Sequence, residues 1–454
     1  MTNEFIADQQ WFRSANGLSL LAGSPLTSFT VSEAGARVLD AIENGAPLPG
    51  NHVSLTSRLL ATGAIHPLPN QSVSPSDISV VIPALVHNEN ELERLQSLVN
   101  QLSNMTVIVV DDASPQPISL NGATVIRRDS NGGPGAARNS GVREVSTPYV
   151  AFVDADIVVA SESLRMLASV LLTDNVVLVA PRVATENDKT FLGEYESLRS
   201  PLDLGTSPAV VRPLSRVSYV PAAVLVGRTQ QLIDAFEESM RLGEDVDMVW
   251  RIAESGGMVR YVPSVECHHE PRATWRALLK QRFGYGSSAA TLDKRHPFAA
   301  SPFRSHGVLV LPALALLSGY IYFALLLAIP TYVYFAITLR STKLSVRMRA
   351  RITWIGFTAT VRLLAAAIRR VWWPVIAIAM ALFQPALFLM LFSVLAAPAY
   401  GIVRAKPKYP SEYFLMRILD DCAYGLGVWA GAIRTRNFRC LLPVITFRRT
   451  SRAK

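Results

Sequence analysis

The stretch Pro148-Tyr-Val-Ala-Phe-Val-Asp-Ala-Asp-Ile157 decides the fold. Its apolar run reads as a buried strand, and the run ends in the acidic triplet Asp154-Ala-Asp156. Side chains alternate along a strand, so an extended backbone would face both carboxylates the same way, about 7 Å apart, at one sheet edge. Two carboxylates so placed suit a hard divalent cation. Upstream, Val107-Ile-Val-Val-Asp-Asp112 is a second buried-type strand with an acidic end. In an open α/β sheet, ligands bind at the carboxyl ends of the parallel strands. A third acidic signal, Gly243-Glu-Asp245, follows about 90 residues after Asp154.

Around these pieces, short β-branched runs alternate with helical patterns from residue 77 to 303. Ile78-Ser-Val-Val-Ile-Pro83, Thr124-Val-Ile126 and Val176-Val-Leu-Val179 mark further strands. Such alternation predicts an α/β domain with a Rossmann-like, mostly parallel sheet covered by helices. Asn131-Gly-Gly-Pro-Gly-Ala-Ala-Arg-Asn-Ser-Gly141 is a flexible turn opening a helix that carries Arg138. A helix amino end suits an anionic or nucleotide ligand, although a plain strand-to-helix loop reads the same way. Asp111 and Asp112 likewise have a structural alternative as a strand end or helix cap. Glu244 reads as a helix-start carboxylate, and Asp247 as structural or solvated.

Residues 1–70 read as a separate, small winged-helix-like module. Leu18–Leu21 and Ser28–Val31 are short strands there. Ser32 caps a helix through Ile42, and Val53–Thr62 forms a second helix stopped by Gly63. A Pro, Ser and Asn-rich linker, Pro67–Ser76, follows. The first ten residues lack the charged-then-apolar pattern of a secretory signal, so export by that route is not expected. The three cysteines, Cys267, Cys422 and Cys440, share no metal or disulfide spacing, which fits a reducing cytoplasm.

Half of the 454 residues are hydrophobic, and the surplus lies after residue 306. Gly307–Leu339 and Val371–Val403 are apolar blocks longer than the ~20 residues that cross a bilayer once. Between them, residues 340–370 hold eight Lys/Arg and no Asp or Glu, and residues 404–454 form a basic tail. The net charge of +9 therefore flanks apolar blocks. With no zinc-finger spacing or aromatic-interleaved basic motif, a membrane rather than nucleic acid is the expected partner. Each block is predicted to form a hairpin of two helices, which keeps the basic segment on the side of the α/β domain.

Six pieces in order then carry a resemblance: Val80-Val-Ile-Pro83, Val109-Val-Asp-Asp-Ala-Ser114, Gly132-Gly-Pro-Gly-Ala-Ala-Arg-Asn139, Asp154-Ala-Asp156, Gly243-Glu-Asp245 and Cys267-His-His-Glu-Pro-Arg272. Over about 220 residues the chain resembles the family 2 (GT-A) glycosyltransferases, inverting enzymes that use nucleotide sugars. The resemblance implies that Pro83, Asp111, Asp112, Arg138 and Asp154 bind the donor, with Asp112 and Arg138 at the uracil or its ribose. It implies Mn²⁺ or Mg²⁺ on Asp156, His269 and the neighbouring Asp154, and Asp245 as the base. His269 is preferred to His268 because His269-Glu-Pro-Arg272 better resembles the family's sequence. Pro83-Ala-Leu-Val-His-Asn-Glu89 departs from the family's Pro-x-Tyr-Asn-Glu, so no aromatic contact to the base is carried over.

The chemistry needs these residue types. A leaving diphosphate calls for a cation held by carboxylates, and inversion calls for one general base on the opposite face. Leu20–Pro25, Thr30–Gly35, Tyr285–Ala290 and Arg295-His-Pro297 narrow the resemblance to the glycosyltransferases of mycofactocin systems. That implies UDP-glucose as donor, β-1,4-linked glucose as product linkage and a peptide-derived small-molecule acceptor. It also implies a peptide-recognition role for residues 1–70, with a structural cap as the alternative. The expected enzyme is a hexosyltransferase at the cytoplasmic membrane, its catalytic domain facing the cytoplasm. A family 2 enzyme acting on a lipid or polysaccharide, or a non-catalytic binding protein on the same scaffold, are the alternatives.

Overall fold

The computed structural model describes residues 4–50, 52–70, 72–186, 190–271, 274–380, 384–447 and 451–452. Arg272, and the basic tail from residue 448 except for Ser451–Arg452, lie outside the described residues. The chain forms two compact units. One holds the residues up to Gln9 together with Asp40–Pro271, and the other holds Gln10–Leu39 together with the chain from residue 272 onward.

The first unit is built on a nine-stranded mixed sheet. Its order is Ile157–Val158, Met258–His269, Val176–Thr185, Val224–Arg228, Tyr149–Val153, Ile78–Ala84, Thr106–Asp111 and Thr124–Arg127, with Ala209–Val211 also on Met258–His269. Tyr149–Val153, Ile78–Ala84, Thr106–Asp111 and Thr124–Arg127 run parallel, as the alternation of strand and helix predicts. Val224–Arg228 enters antiparallel between Tyr149–Val153 and Val176–Thr185, which makes the sheet mixed. The central strands are buried on both faces along most of their length because they are predominantly apolar, Val/Ile-rich runs. Beside them, Asn88 caps the Glu89–Gln101 helix by accepting from the Glu91 N–H at 3.0 Å.

Met258–His269 pairs with Val176–Thr185 through an interruption. Val262 lies opposite Pro181 and Glu266 opposite Arg182, so residues 263–265 bulge out of register.

The small elements of residues 1–70 are divided between the two units. Strands Ser19–Ala22 and Thr27–Thr30 pair antiparallel, and helices Glu33–Glu43 and Val53–Thr62 follow. Within the first unit, Phe5–Ala7 pairs with Ile65–Pro67. The fully buried Arg260 of the sheet donates to the carbonyls of Leu60 (2.7 Å) and Ile65 (3.2 Å). Asp8 accepts from Arg216 at 2.8 Å and pairs with His66 at 3.0 Å, all inside this unit. In the second unit, Phe12 and Leu21 pack with Leu339, Leu344 and Ile352.

The second unit is helical. Gly307–Leu317 and Ile321–Thr338 fold back on each other, with Thr331 reaching the Val308 carbonyl and Tyr334 reaching His306. The first apolar block is thus a helical hairpin. The basic segment differs from a simple loop: Val346–Ala367 is a helix that continues through a π turn at Ile368–Trp372 into Trp373–Met380. Ile321–Thr342, Val346–Met380 and Leu387–Ala405 are long and apolar enough to cross a membrane. Trp275–Arg295 and Pro410–Thr435 pack backbone to backbone, since a Cβ on Gly427 would meet the Phe283 carbonyl at 2.0 Å and one on Gly286 the Tyr424 carbonyl at 2.1 Å.

Candidate active site

The acidic triplet sits in a turn rather than on a strand. The Tyr149–Val153 strand ends with Asp154 N–H donating to the Ala223 carbonyl, and the Ile157 N–H then closes back onto the Asp154 carbonyl at 3.1 Å. Alternation therefore does not govern the two carboxylates, and they point to different partners. Asp154 accepts from Arg138 Nη2 at 2.6 Å, whereas Asp156 Oδ2 lies 3.0 Å from His269 Nε2. The expectation of two side chains facing the same way from one strand is corrected on this point.

Sheet register brings His269 to Asp156. Ile157–Val158 pairs antiparallel with Met258–His269, setting His269 opposite Ile157 and His268 opposite Val158. His269 is buried and points to Asp156; His268 is half-buried on the other face, 3.8 Å from Glu266. Asp156 is 41 % exposed, so its carboxylate remains reachable. Among the described residues no three His, Cys, Asp or Glu converge as a metal cage. The Asp156–His269 pair nevertheless fits Mn²⁺ or Mg²⁺ as two protein ligands, leaving positions for water and substrate oxygens.

The two acidic residues at the end of Thr106–Asp111 build loops. Asp111, fully buried, accepts from the Ser114 N–H at 2.8 Å and pairs with Arg127. Burial alone would raise its carboxyl, but the Ser114 and Arg127 hydrogen bonds outweigh this and hold it below the ordinary value. Asp112 accepts from the N–H groups of Gly132 (2.9 Å) and Gly133 (2.7 Å), and pairs with Arg128 at 2.9 Å. Asp112 thereby clamps the turn that starts the Pro134–Val142 helix. Gly133 has φ of +86°, a conformation that a side chain would strain. Pro83 is half-buried in Ile78–Ala84, opposite Val110.

Arg138 lies on that helix, 3 % exposed. Besides Asp154, it reaches Glu244 Oε1 through Nη1 at 3.1 Å, and its guanidinium stacks 5.3 Å from the Phe236 ring centre. Burial by itself would lower Arg138, but the Asp154 and Glu244 charges prevail and raise it. Glu244 opens the Glu244–Glu254 helix behind Gly243, whose φ is +82°. Burial and then the Asp245 charge push the Glu244 carboxyl up to about 7, with Arg138 opposing. Asp154 is also raised, first by enclosure and then, against Arg138, by Asp156. Asp245 is half-buried and held by two backbone donors, Ala222 N–H at 3.1 Å and Val246 N–H at 2.8 Å. Asp247, wholly buried, pairs with Arg251 one turn on.

Within one unit the structure thus pairs Arg138 with Asp154 and Glu244, and His269 with Asp156, while Asp245 is held by the Ala222 and Val246 N–H groups. Phe236, Ala222 and the Arg138–Glu244 bond were absent from the sequence reading. The Arg138-Asn139 pair was their available signal: Asn139 takes the Phe236 N–H and donates to the Phe236 carbonyl, fixing that ring.

A family model described as Glycosyl transferase family 2 matches residues 79–220, and similarity to a curated member extends over 95% of the chain. The chain belongs to the family 2 glycosyltransferases. That member is the Pre-mycofactocin glycosyltransferase of Mycobacterium tuberculosis, 33% identical over 453 residues and covered over 95% of its own length. The Poly(ribitol-phosphate) beta-glucosyltransferase of Bacillus spizizenii is 38% identical over 102 residues, 19% of this chain and 16% of that one. A solved mannosyltransferase from Pyrobaculum calidifontis is 16% identical, with a TM-score of 0.42 across 87% of this chain and 99% of that one.

Proposed function

We propose that this enzyme transfers glucose with inversion from UDP-glucose to the peptide-derived mycofactocin precursor, extending a β-1,4-linked chain. The observation that carries this reading is the 33% identity to the Pre-mycofactocin glycosyltransferase across 95% of both chains. The site offers the required chemistry. Asp245, held by two N–H donors with lone pairs to spare, takes the proton from the acceptor hydroxyl as the new bond forms. Asp156 and His269 hold Mn²⁺ or Mg²⁺, which when bound supplies positive charge to the departing diphosphate. Pro83, Asp111, Asp112 and Asp154 line or support the donor side, Asp112 by fixing the turn at Gly132–Gly133. Residues 1–70 supply peptide recognition. The apolar helices anchor the enzyme at the cytoplasmic membrane, with the site on the cytoplasmic side, where UDP-sugars are made.

Purified full-length protein incubated with the precursor, Mn²⁺ and each of several UDP-sugars tests this. Mass spectrometry should find hexose added from UDP-glucose, and NMR should show the β anomer. An α product would overturn inversion, and transfer to lipid but never to the precursor would overturn the acceptor.

A further inference from the structure

The resemblance puts Arg138 at the nucleotide, but its surroundings leave it little to offer a ligand. It is 3 % exposed, Phe236 covers its face, and both terminal nitrogens are engaged. Nη2 holds Asp154 at 2.6 Å and also reaches the Ala222 carbonyl at 3.4 Å, while Nη1 holds Glu244 at 3.1 Å. Glu244 is the covalent neighbour of Asp245, and the Ala222 N–H donates to Asp245 Oδ2. Two independent routes therefore run from one guanidinium to Asp245, and a third goes directly to the acidic turn.

From this geometry, and resting on the functional reading above, we infer that Arg138 is a positioning residue that clasps the donor-side turn at Asp154 to the loop and helix carrying Asp245. The planar fork is what allows one side chain to span both carboxylates; a lysine ammonium, a single point of charge, does not reproduce it. Misplacing reacting groups by about 1 Å costs roughly 10²-fold in rate. Loss of the clasp should accordingly appear in kcat rather than in donor affinity.

The test compares Arg138→Lys, Arg138→Met, Glu244→Gln and Glu244→Leu in the full-length protein. It measures kcat and KM for UDP-glucose, UDP binding by calorimetry and thermal unfolding. Both Arg138 variants should lose roughly 10²-fold in kcat with UDP affinity and donor KM within about threefold. Glu244→Gln, which still offers Nη1 an acceptor, should recover at least about tenfold in kcat over Glu244→Leu. A fall of about tenfold in UDP affinity with kcat kept would make Arg138 a nucleotide contact and overturn the inference. So would wild-type kinetics in Arg138→Lys. If the Arg138 variants fail to fold, equal kcat in the two Glu244 variants overturns it. If the wild type turns over no UDP-sugar, the functional reading fails instead. The clasp is then read from the thermal double-mutant cycle of Arg138→Lys with Glu244→Leu, where additive effects refute it.

Discussion

Among single residues, the roles proposed for Asp245 and Asp156 are separable by experiment. Asp245→Asn keeps the shape and one acceptor oxygen but cannot take a proton, so transfer should fall ~10²–10⁴-fold while UDP-sugar still binds. Kinetics and calorimetry on one preparation check this, and a large loss of donor affinity with kcat intact would refute the role. Asp156→Ala should abolish the response of activity to added Mn²⁺; metal titration followed by calorimetry reads the lost binding directly. Motif order singled out the residues of this candidate site, and the strand register then sets His269, not His268, opposite Ile157 and next to Asp156. The turn at Asp154–Asp156 was not legible, because Asp-Ala-Asp-Ile157 keeps the polar–apolar alternation of a strand and gives no sign that pairing stops at Val153. Nor was the Arg138–Glu244 bond, which joins residues 106 positions apart.

Single elements show the same division between local and distant information. The Val53–Thr62 helix matches its sequence boundaries, since its stop signal is local: Gly63, directly after the last turn, takes the left-handed conformation and returns its N–H to the Leu59 and Leu60 carbonyls. Val224–Arg228 was missed although it is a β-branched run, because its place between two strands depends on pairings far along the chain. In Ile65–Pro67, burial drives His66 below the ordinary 6.5, with the Asp8 hydrogen bond opposing. The unfolded chain thus takes the proton more readily, so stability should fall as pH drops through 6.5 toward the lower folded value. Thermal midpoints against pH should show a shallower slope in His66→Gln. In the helical unit, Gly427→Leu forces a side chain into the Phe283 carbonyl and should destabilise by about 1–3 kcal/mol or more. An unchanged thermal midpoint in detergent would disprove that close packing.

For the molecule as a whole, residues 1–70 are shared between two units, which alters what truncation does. Removing them takes away the Leu60 and Ile65 carbonyls that receive Arg260 and leaves a buried guanidinium without those acceptors. Each lost partner costs about 1–3 kcal/mol, so the truncated protein should melt earlier, not merely lose acceptor choice. An unaltered melting point would instead mark residues 1–70 as a detachable module. Composition revealed the apolar blocks, yet it gave no warning that the basic segment becomes the first part of Val346–Met380. A helix running straight on from basic into apolar sequence differs from a loop only in backbone pairing, which charge counts do not encode.

The bulge at residues 263–265 gives the strand before His269 somewhere to absorb a change in chain length. One residue added there and not taken up by the bulge would shift the following sequence by a single place, and in a strand that exchanges the two faces. In most strands such a slip would swap the functional side chain for its neighbour and end the chemistry. Here the neighbour is His268, so the slipped chain would still deliver an imidazole opposite Ile157 and beside Asp156. The doubled histidine would therefore act as a spare tooth on a ratchet, offering an imidazole to the same partner one notch along.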